Sequence, residues 1–459
     1  MTAYFTPDEV LTATNGQLIA PGSAESFAGI STDTRSLTPG SLFVALSGDR
    51  FDGHDFLAEA IRQGVTGVVV SRVPVEPCQG VAVFLVADTR TAFQELARFH
   101  RCRFQLPVIA VTGSNGKTST KDMIAAILST QLPVLKTEAN FNNEIGLSQT
   151  LLKIDATHQA VVVEMGMRGR GEIAGLAAIA LPTVGVVTNV GETHLERLGS
   201  IDNIAAAKAE LIEALDGKGL AILNGDDPYV RAMSEKTAAR TVYYGLNHDS
   251  DIRATNVTQT AQEVAFDCAA GADCFRVVAP MPGIHNAYNA LAAIAVGVEL
   301  GLKPEHIIQG LAQFEPGKMR LNIKKIDGVT VIDDTYNASP LSMAAAIEVL
   351  ASVAKGRKLA AIGDMLELGP AAPAAHSKVG AHLASIGVEV VFTIGELARI
   401  AGETALEKGV PVVIPCSSHE EAVRELRQRL FPGDTLLLKG SRGMTMEKLL
   451  GVFATPLED

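Results

Sequence analysis

Between residues 107 and 315 the chain repeats one pattern: a short β-branched or apolar run, a turn, then a helix-length segment. The runs are PVIAV, AVVVEMG, TVGVVTNV and GLAILNGDD, and the helical periods fall near 117–130, 169–180 and 202–215. A run that is apolar at every position needs cover on both faces, and parallel strands joined by crossover helices supply it. The pattern therefore predicts an α/β fold with a mostly parallel sheet of P-loop type and helices on both sides. Residues 251–278 interrupt it and predict an antiparallel insertion, after which helices at 284–301 and 304–314 close the unit. Upstream, strands at 67–70 and 81–86 and a helix near 90–103 predict a small α/β unit ending by Leu106 and Pro107. Past the turn-rich FEPGKMR, the runs VTVIDD, KLAAIGDM, VVFTIG and DTLLLKGS alternate with helices as a third, Rossmann-like unit. It holds no G-x-G-x-x-G, so a dinucleotide is not indicated. A chain of 459 residues exceeds one core, and the expected divisions are 1–105, 106–316 and 317–459.

Composition removes several classes of function. The formal net charge of −12 argues against nucleic acid or an anionic membrane as partner. The five cysteines form no C-x-x-C pair and read as reduced thiols in a cytoplasmic protein. The first ten residues carry Asp8 and Glu9 and no basic region, so no signal peptide is expected. The uncharged stretch 173–191 is long enough to span a bilayer. Pro182 and its Gly and Thr content favour a helix followed by a buried strand, and no integral membrane segment is expected.

VTGSNGKTST, residues 111–120, follows the strand PVIAV directly. In such a loop, backbone N–H groups and a helix N-terminus face phosphates while a lysine neutralises β/γ charge. The parts would be Gly113, Ser114, Asn115, Gly116, Lys117 and Ser119, with the Thr118 hydroxyl offered to Mg²⁺. Val111 stands at the first glycine position of the strict P-loop pattern, so a plain Gly-rich turn is the competing reading. Glu164 ends AVVVE, at the carboxyl end of a strand, where open α/β sheets bind ligands. It reads as a metal ligand or as a solvated strand-end acid. His194 in VGETHLE reads as a ligand or a structural hydrogen-bonder. Lys208, on a small apolar helix, reads by itself as a lysine that snorkels outward. No N-K-x-D follows the strands, which weakens a GTPase reading.

These motifs, with TEANFNNEIGLSQTLL, VVVEMGMRGRGEI, THLERLGS, AAAKAEL, MPGIHNAYNALAA, DDTYNASP, GDMLELG and LLKGSRGMTMEKLL, resemble the Mur ligases in the same order, over about residues 27–450. The resemblance implies an ATP-dependent amide ligase of three domains acting as a monomer, in the branch that adds D-alanyl-D-alanine to UDP-N-acetylmuramoyl-tripeptide. It implies UDP contacts at Ser31, Thr32, Asp33 and Arg35, with RFDGHDF from Arg50 nearby. Peptide contacts fall at Asn142 and Asn143, an adenine contact at Asn286, and γ-phosphate and ribose contacts at Arg320 and Asp334. Lys208 matches a lysine carbamylated by CO₂, whose new carboxylate joins Thr118, Glu164 and His194 in holding two Mg²⁺ ions. Lys117, Glu164, His194, Lys208 and Arg320 carry the catalysis in this reading. Asn337 and Arg442 would receive the dipeptide, Arg442 by bidentate pairing with its carboxylate. The D-N-P-R motif usual in the diaminopimelate- or lysine-adding branch is absent. Three positions depart from the family pattern: Ala139 where Gly is usual, Ser339 where Asn is usual, and Lys318-Met319-Arg320 in place of a Gly-Arg pair. A transport or binding ATPase is the rival from another class.

Overall fold

The computed structural model describes residues 3–48, 51–247 and 249–454. Its central sheet runs, edge to edge, Asp273–Ala279, Val264–Ala270, Ile252–Gln259, Arg240–Gly245, Leu220–Asn224, Val184–Val187, Val108–Thr112, Ala160–Glu164 and Val134–Lys136. From Ile252–Gln259 onward every neighbouring pair is parallel. The predicted antiparallel insertion is no separate body: Ile252–Gln259 pairs in parallel with Arg240–Gly245, and two antiparallel strands extend the same sheet.

Alternation along the buried strands divides the core between the two faces. Ile109, Val111, Val162 and Val186 face helices Lys117–Leu128 and Ile284–Glu299. Val108, Ala110, Val161 and Val163 face the other way, where Leu147, Ile173 and Leu211 close the layer. Val108–Thr112 lies between Ala160–Glu164 and Val184–Val187, so the chain order reverses around it. Such a reversal opens a crevice beyond the carboxyl ends of the strands.

A second sheet has the order Asn322–Ile326, Val329–Asp334, Thr435–Lys439, Lys358–Gly363, Val390–Ile394 and Val412–Cys416, parallel except for its first pair. Here the last strand in sequence is inserted between Val329–Asp334 and Lys358–Gly363, which makes a second crevice. A smaller sheet of Gln17–Ala20, Ala82–Leu85, Gly67–Val70, Leu42–Val44 and Ile30–Ser31 belongs to the N-terminal part. Among the described residues no helix is long and apolar enough to cross a membrane.

Candidate active site

Two glycines make the loop after Val108–Thr112 possible. Gly113 has φ +149°, and a Cβ there would lie 1.9 Å from Thr188 Oγ1; at Gly116, φ +80°, it would lie 2.3 Å from Asn289 Oδ1. Asn115 is held by the next strand end: its N–H donates to Asn189 Oδ1 (2.9 Å), and its carbonyl accepts from Thr188 Oγ1 (2.6 Å) and Asn189 Nδ2 (3.0 Å). The Ser114 hydroxyl is tied to Gly191 in the same way. The buried Asn115 Nδ2 finds no acceptor among the described residues. An orphaned donor beside a helix N-terminus is a place an anion would satisfy. Lys117 Nζ instead folds onto the carbonyls of Gly113 (2.8 Å) and Ser114 (3.3 Å).

Glu164 is buried at the end of its strand, as that position dictates. Its Oε2 accepts from Thr118 Oγ1 (2.7 Å) and its Oε1 from Asn142 Nδ2 (2.8 Å). Asn143 caps helix Glu144–Leu151 through Gly146 N (2.9 Å). Lys208 does not snorkel outward. It is 2% exposed on helix Ile201–Glu213 and makes no hydrogen bond or ion pair among the described residues. Burial, and then the Lys117 charge, push its ammonium well below the ordinary lysine value. Burial lowers Lys117 too, with Glu164 raising it and Arg320 lowering it further. These cations destabilise one another, a state that an anion between them would relieve.

The second sheet roofs the same cleft, which has a volume of about 1650 Å³. Asp334 accepts from Lys439 Nζ and from Leu321 N (3.1 Å). Arg320 lies over the Tyr336 ring, 3.8 Å from its centre. Asn286 is buried, giving Nδ2 to Pro282 O (2.7 Å) and receiving Asn289 Nδ2 (2.9 Å). His285 beside it has its imidazole lowered to about 4, by burial first, against the raising pull of Asp334. His194 Nδ1 meets the Glu367 carboxylate. Burial pushes that imidazole below its usual value, and Glu367 opposes the shift.

All the expected central and C-terminal residues, Gly113 through Ser119 included, line this one cleft. Ser31, Thr32, Asp33 and Arg35 do not. They form their own turn, with Asp33 accepting from Arg35 Nε (2.9 Å) and its carboxyl lowered to about 2, chiefly by that pairing. Thr32 Oγ1 reaches the central part through Gln149 Nε2 (3.4 Å). Arg50 lies outside the described residues. Arg442 lines the cleft, but its guanidinium is already engaged by both oxygens of Glu447, and its N–H donates to Asn337 Oδ1 (3.2 Å). The fork expected to be free for a substrate carboxylate is therefore paired within the chain.

Thr188, Asn189, Asn289, Lys439 and Glu367 escaped the sequence reading. Asn189 had the position to be found, just past the carboxyl end of Val184–Val187. The three departures have local accounts. Ala139 has φ 47° and Met319 φ 61°, left-handed backbone that a glycine adopts freely. Ser339 caps helix Pro340–Val353 and gives its hydroxyl to Asn115 Oδ1 (2.9 Å).

A phosphate-loop sheet with a second, mostly parallel sheet roofing the cleft beyond it is the arrangement of an ATP-dependent amide ligase, and the chain belongs to the Mur ligase family. Residues 26–101 match the Mur ligase family catalytic domain, 111–297 the Mur ligase middle domain, and 319–442 the glutamate ligase domain. Among its relatives is the UDP-N-acetylmuramoyl-tripeptide–D-alanyl-D-alanine ligase of Bacillus subtilis, 40% identical over 425 residues and 92% of each chain. The Escherichia coli protein of the same name is 36% identical over 451 residues, 95% of each. A crystal structure of MurF from Acinetobacter baumannii has a TM-score of 0.91 at 32% identity, covering 99% of this chain and 100% of that one. MurF ligase from Thermotoga maritima in complex with ADP has a TM-score of 0.83 at 30% identity, covering 92% and 96%.

Proposed function

We propose that the chain joins D-alanyl-D-alanine to the terminal carboxylate of UDP-N-acetylmuramoyl-tripeptide, with ATP converted to ADP and phosphate. The observation that carries this reading is the cleft itself. Lys117, whose charge disfavours that of Lys208 and is disfavoured by Arg320, lines it with both of them between a phosphate loop and the crevice of a second sheet. The names of the relatives supply the substrates.

A carboxylate is a poor electrophile because its charge is delocalised. Its oxygen takes the γ-phosphoryl group as the bond to ADP breaks. The dipeptide amine then attacks the acyl carbon, loses a proton, and phosphate leaves. Bringing two anions together is the main obstacle, and Lys117 and Arg320 offset it with positive charge already in place. In this reading Asn142 and Asn143 meet the end of the tripeptide, and Asn286 and Asp334 the nucleoside. Ser31, Thr32, Asp33 and Arg35 hold the UDP end in this reading, outside the cleft.

Thr118 and Glu164 offer hard oxygen donors suited to Mg²⁺, which neutralises phosphate charge when bound. Among the described residues no three His, Cys, Asp or Glu side chains converge as a metal site. His194 and Lys208 are proposed to complete the donor set for two ions. As a carbamate, Lys208 would turn a buried, unpartnered cation into an oxygen ligand. The expected mark is one added CO₂ at Lys208 in high bicarbonate; an unmodified lysine in an active enzyme would remove the carbamate from the reading.

The deciding assay mixes protein, ATP, Mg²⁺ and UDP-N-acetylmuramoyl-tripeptide with single amino acids or dipeptides and weighs the product. A new mass only with D-alanyl-D-alanine, with ADP released in step, is expected. ADP release indifferent to the dipeptide would favour an ATPase.

A further inference from the structure

We infer that Glu367 is a positioning residue: it latches the C-terminal part onto the central part and in the same contact orients His194. The inference rests on the proposed reading of His194 as a group that faces the bound phosphates and cation.

Glu367 and His194 lie 173 residues apart in sequence, in loops that follow strands of different sheets. The Glu367 carboxylate meets His194 Nδ1, and the Glu367 carbonyl accepts from Glu196 N (3.1 Å). One residue thus holds both the side chain and the backbone of the segment opposite. Beside it, Gly369 packs so closely that a Cβ there would lie 3.2 Å from Glu196 Cα. His194 has φ 56° and Glu367 φ 65°, left-handed values that non-glycine residues keep only when their surroundings impose them. The two strained residues face each other, so each supplies part of the constraint on the other.

The chemistry of the pair is directional. A carboxylate facing Nδ1 selects the imidazole tautomer that carries hydrogen there, which leaves the Nε2 lone pair free. Both residues line the main cleft. Because Glu367 belongs to the C-terminal part, His194 is oriented only while the two parts are together. Closure and completion of the site become one event, and the acyl phosphate would form only in a cleft already roofed against water.

The test compares Glu367→Ala and Glu367→Gln with the parent chain. The first readout is amide hydrogen exchange of residues 192–199 in protein without nucleotide or metal. Glu367→Ala keeps the carbonyl that accepts from Glu196 N but removes the carboxylate that holds His194, so exchange should speed across that segment while exchange in 108–128 stays as in the parent. The second is steady-state ligation, where Glu367→Ala should lower kcat about tenfold or more, the loss reported for partners of ligating histidines, with KM for ATP within about twofold. Glu367→Gln, whose amide oxygen still accepts from Nδ1–H, should recover most of both. Unchanged exchange at 192–199 overturns the latch. Faster exchange with full kcat overturns the orienting role, and so does a Gln variant as defective as Ala. If the parent forms no amide at all, the proposed reaction fails, while the exchange comparison still decides the latch.

Discussion

The central sheet meets its two neighbours in different ways. Towards the N-terminal part the join is apolar and continuous. Phe93, Leu96 and Ala97 of helix Thr89–Cys102 share one buried cluster with Leu147, Leu151, Ile173 and Leu176 of the central helices. Arg101, 7% exposed, adds bonds to the Ala180 carbonyl (3.1 Å) and, within the link, to Phe104 O (2.8 Å), and His100 reaches Ile154 O (2.8 Å). Towards the C-terminal part the buried clusters stay separate, with only Ala261 of the central part packed against those of the second sheet among the described residues. The contact there runs through Ser339 to Asn115, Glu367 to His194 and Glu196, and Leu341 against Gly191. Water can replace the polar ones among these, each with a net worth of about 0.5–1.5 kcal/mol, whereas parting a shared core exposes apolar area throughout. One join fixes geometry, and the other is suited to open. The join suited to open lies on the side that roofs the cleft.

The contrast can be broken most severely at the fixed join. Leu96→Ala, in a fully buried position, should cost about 2–5 kcal/mol of stability in denaturant melts. Its turnover per folded molecule should match the parent. On the floor of the cleft, Lys117→Ala should leave the melt unchanged and reduce ligation about 10²-fold or more, as for loss of one preorganised donor. Near-parent turnover in that variant would count against the phosphate loop. Arg101→Ala leaves several carbonyls without their donor, and about 1–3 kcal/mol of destabilisation is expected, with the exchange rates of residues 192–199 unaltered. The smallest effect belongs to the opening join. Ser339→Ala loses a helix cap and the bond to Asn115, for about 0.5–2 kcal/mol, and should raise KM for the dipeptide more than KM for ATP. Equal rises would indicate a damaged loop instead.

The strands legible in the sequence were those buried on both faces, such as Val108–Thr112, Ala160–Glu164 and Thr435–Lys439. Edge strands carried too faint a pattern: Val134–Lys136, Asn322–Ile326 and Val412–Cys416 are partly exposed and hold lysines or a proline. The phosphate loop was legible because its glycines and lysine are adjacent in sequence. Lys208 was not, since its neighbours on the helix are small and give no sign of which face is covered. Nor was Glu367, whose partner lies in a loop beyond a strand of the other sheet. The occupation of Arg442 by Glu447 depends on how the turn Arg442–Met444 bends, with Thr445 at φ 48° closing it, and no spacing rule conveys that.

The shared apolar layer beneath helix Thr89–Cys102 also bears on how the molecule melts. Three sheets need not mean three cooperative units. The first two sheets share the cluster beneath that helix, so heat should take them down together, while the third keeps its own transition and its own share of the heat-capacity change. During synthesis, the floor of the cleft would be complete before its roof emerged.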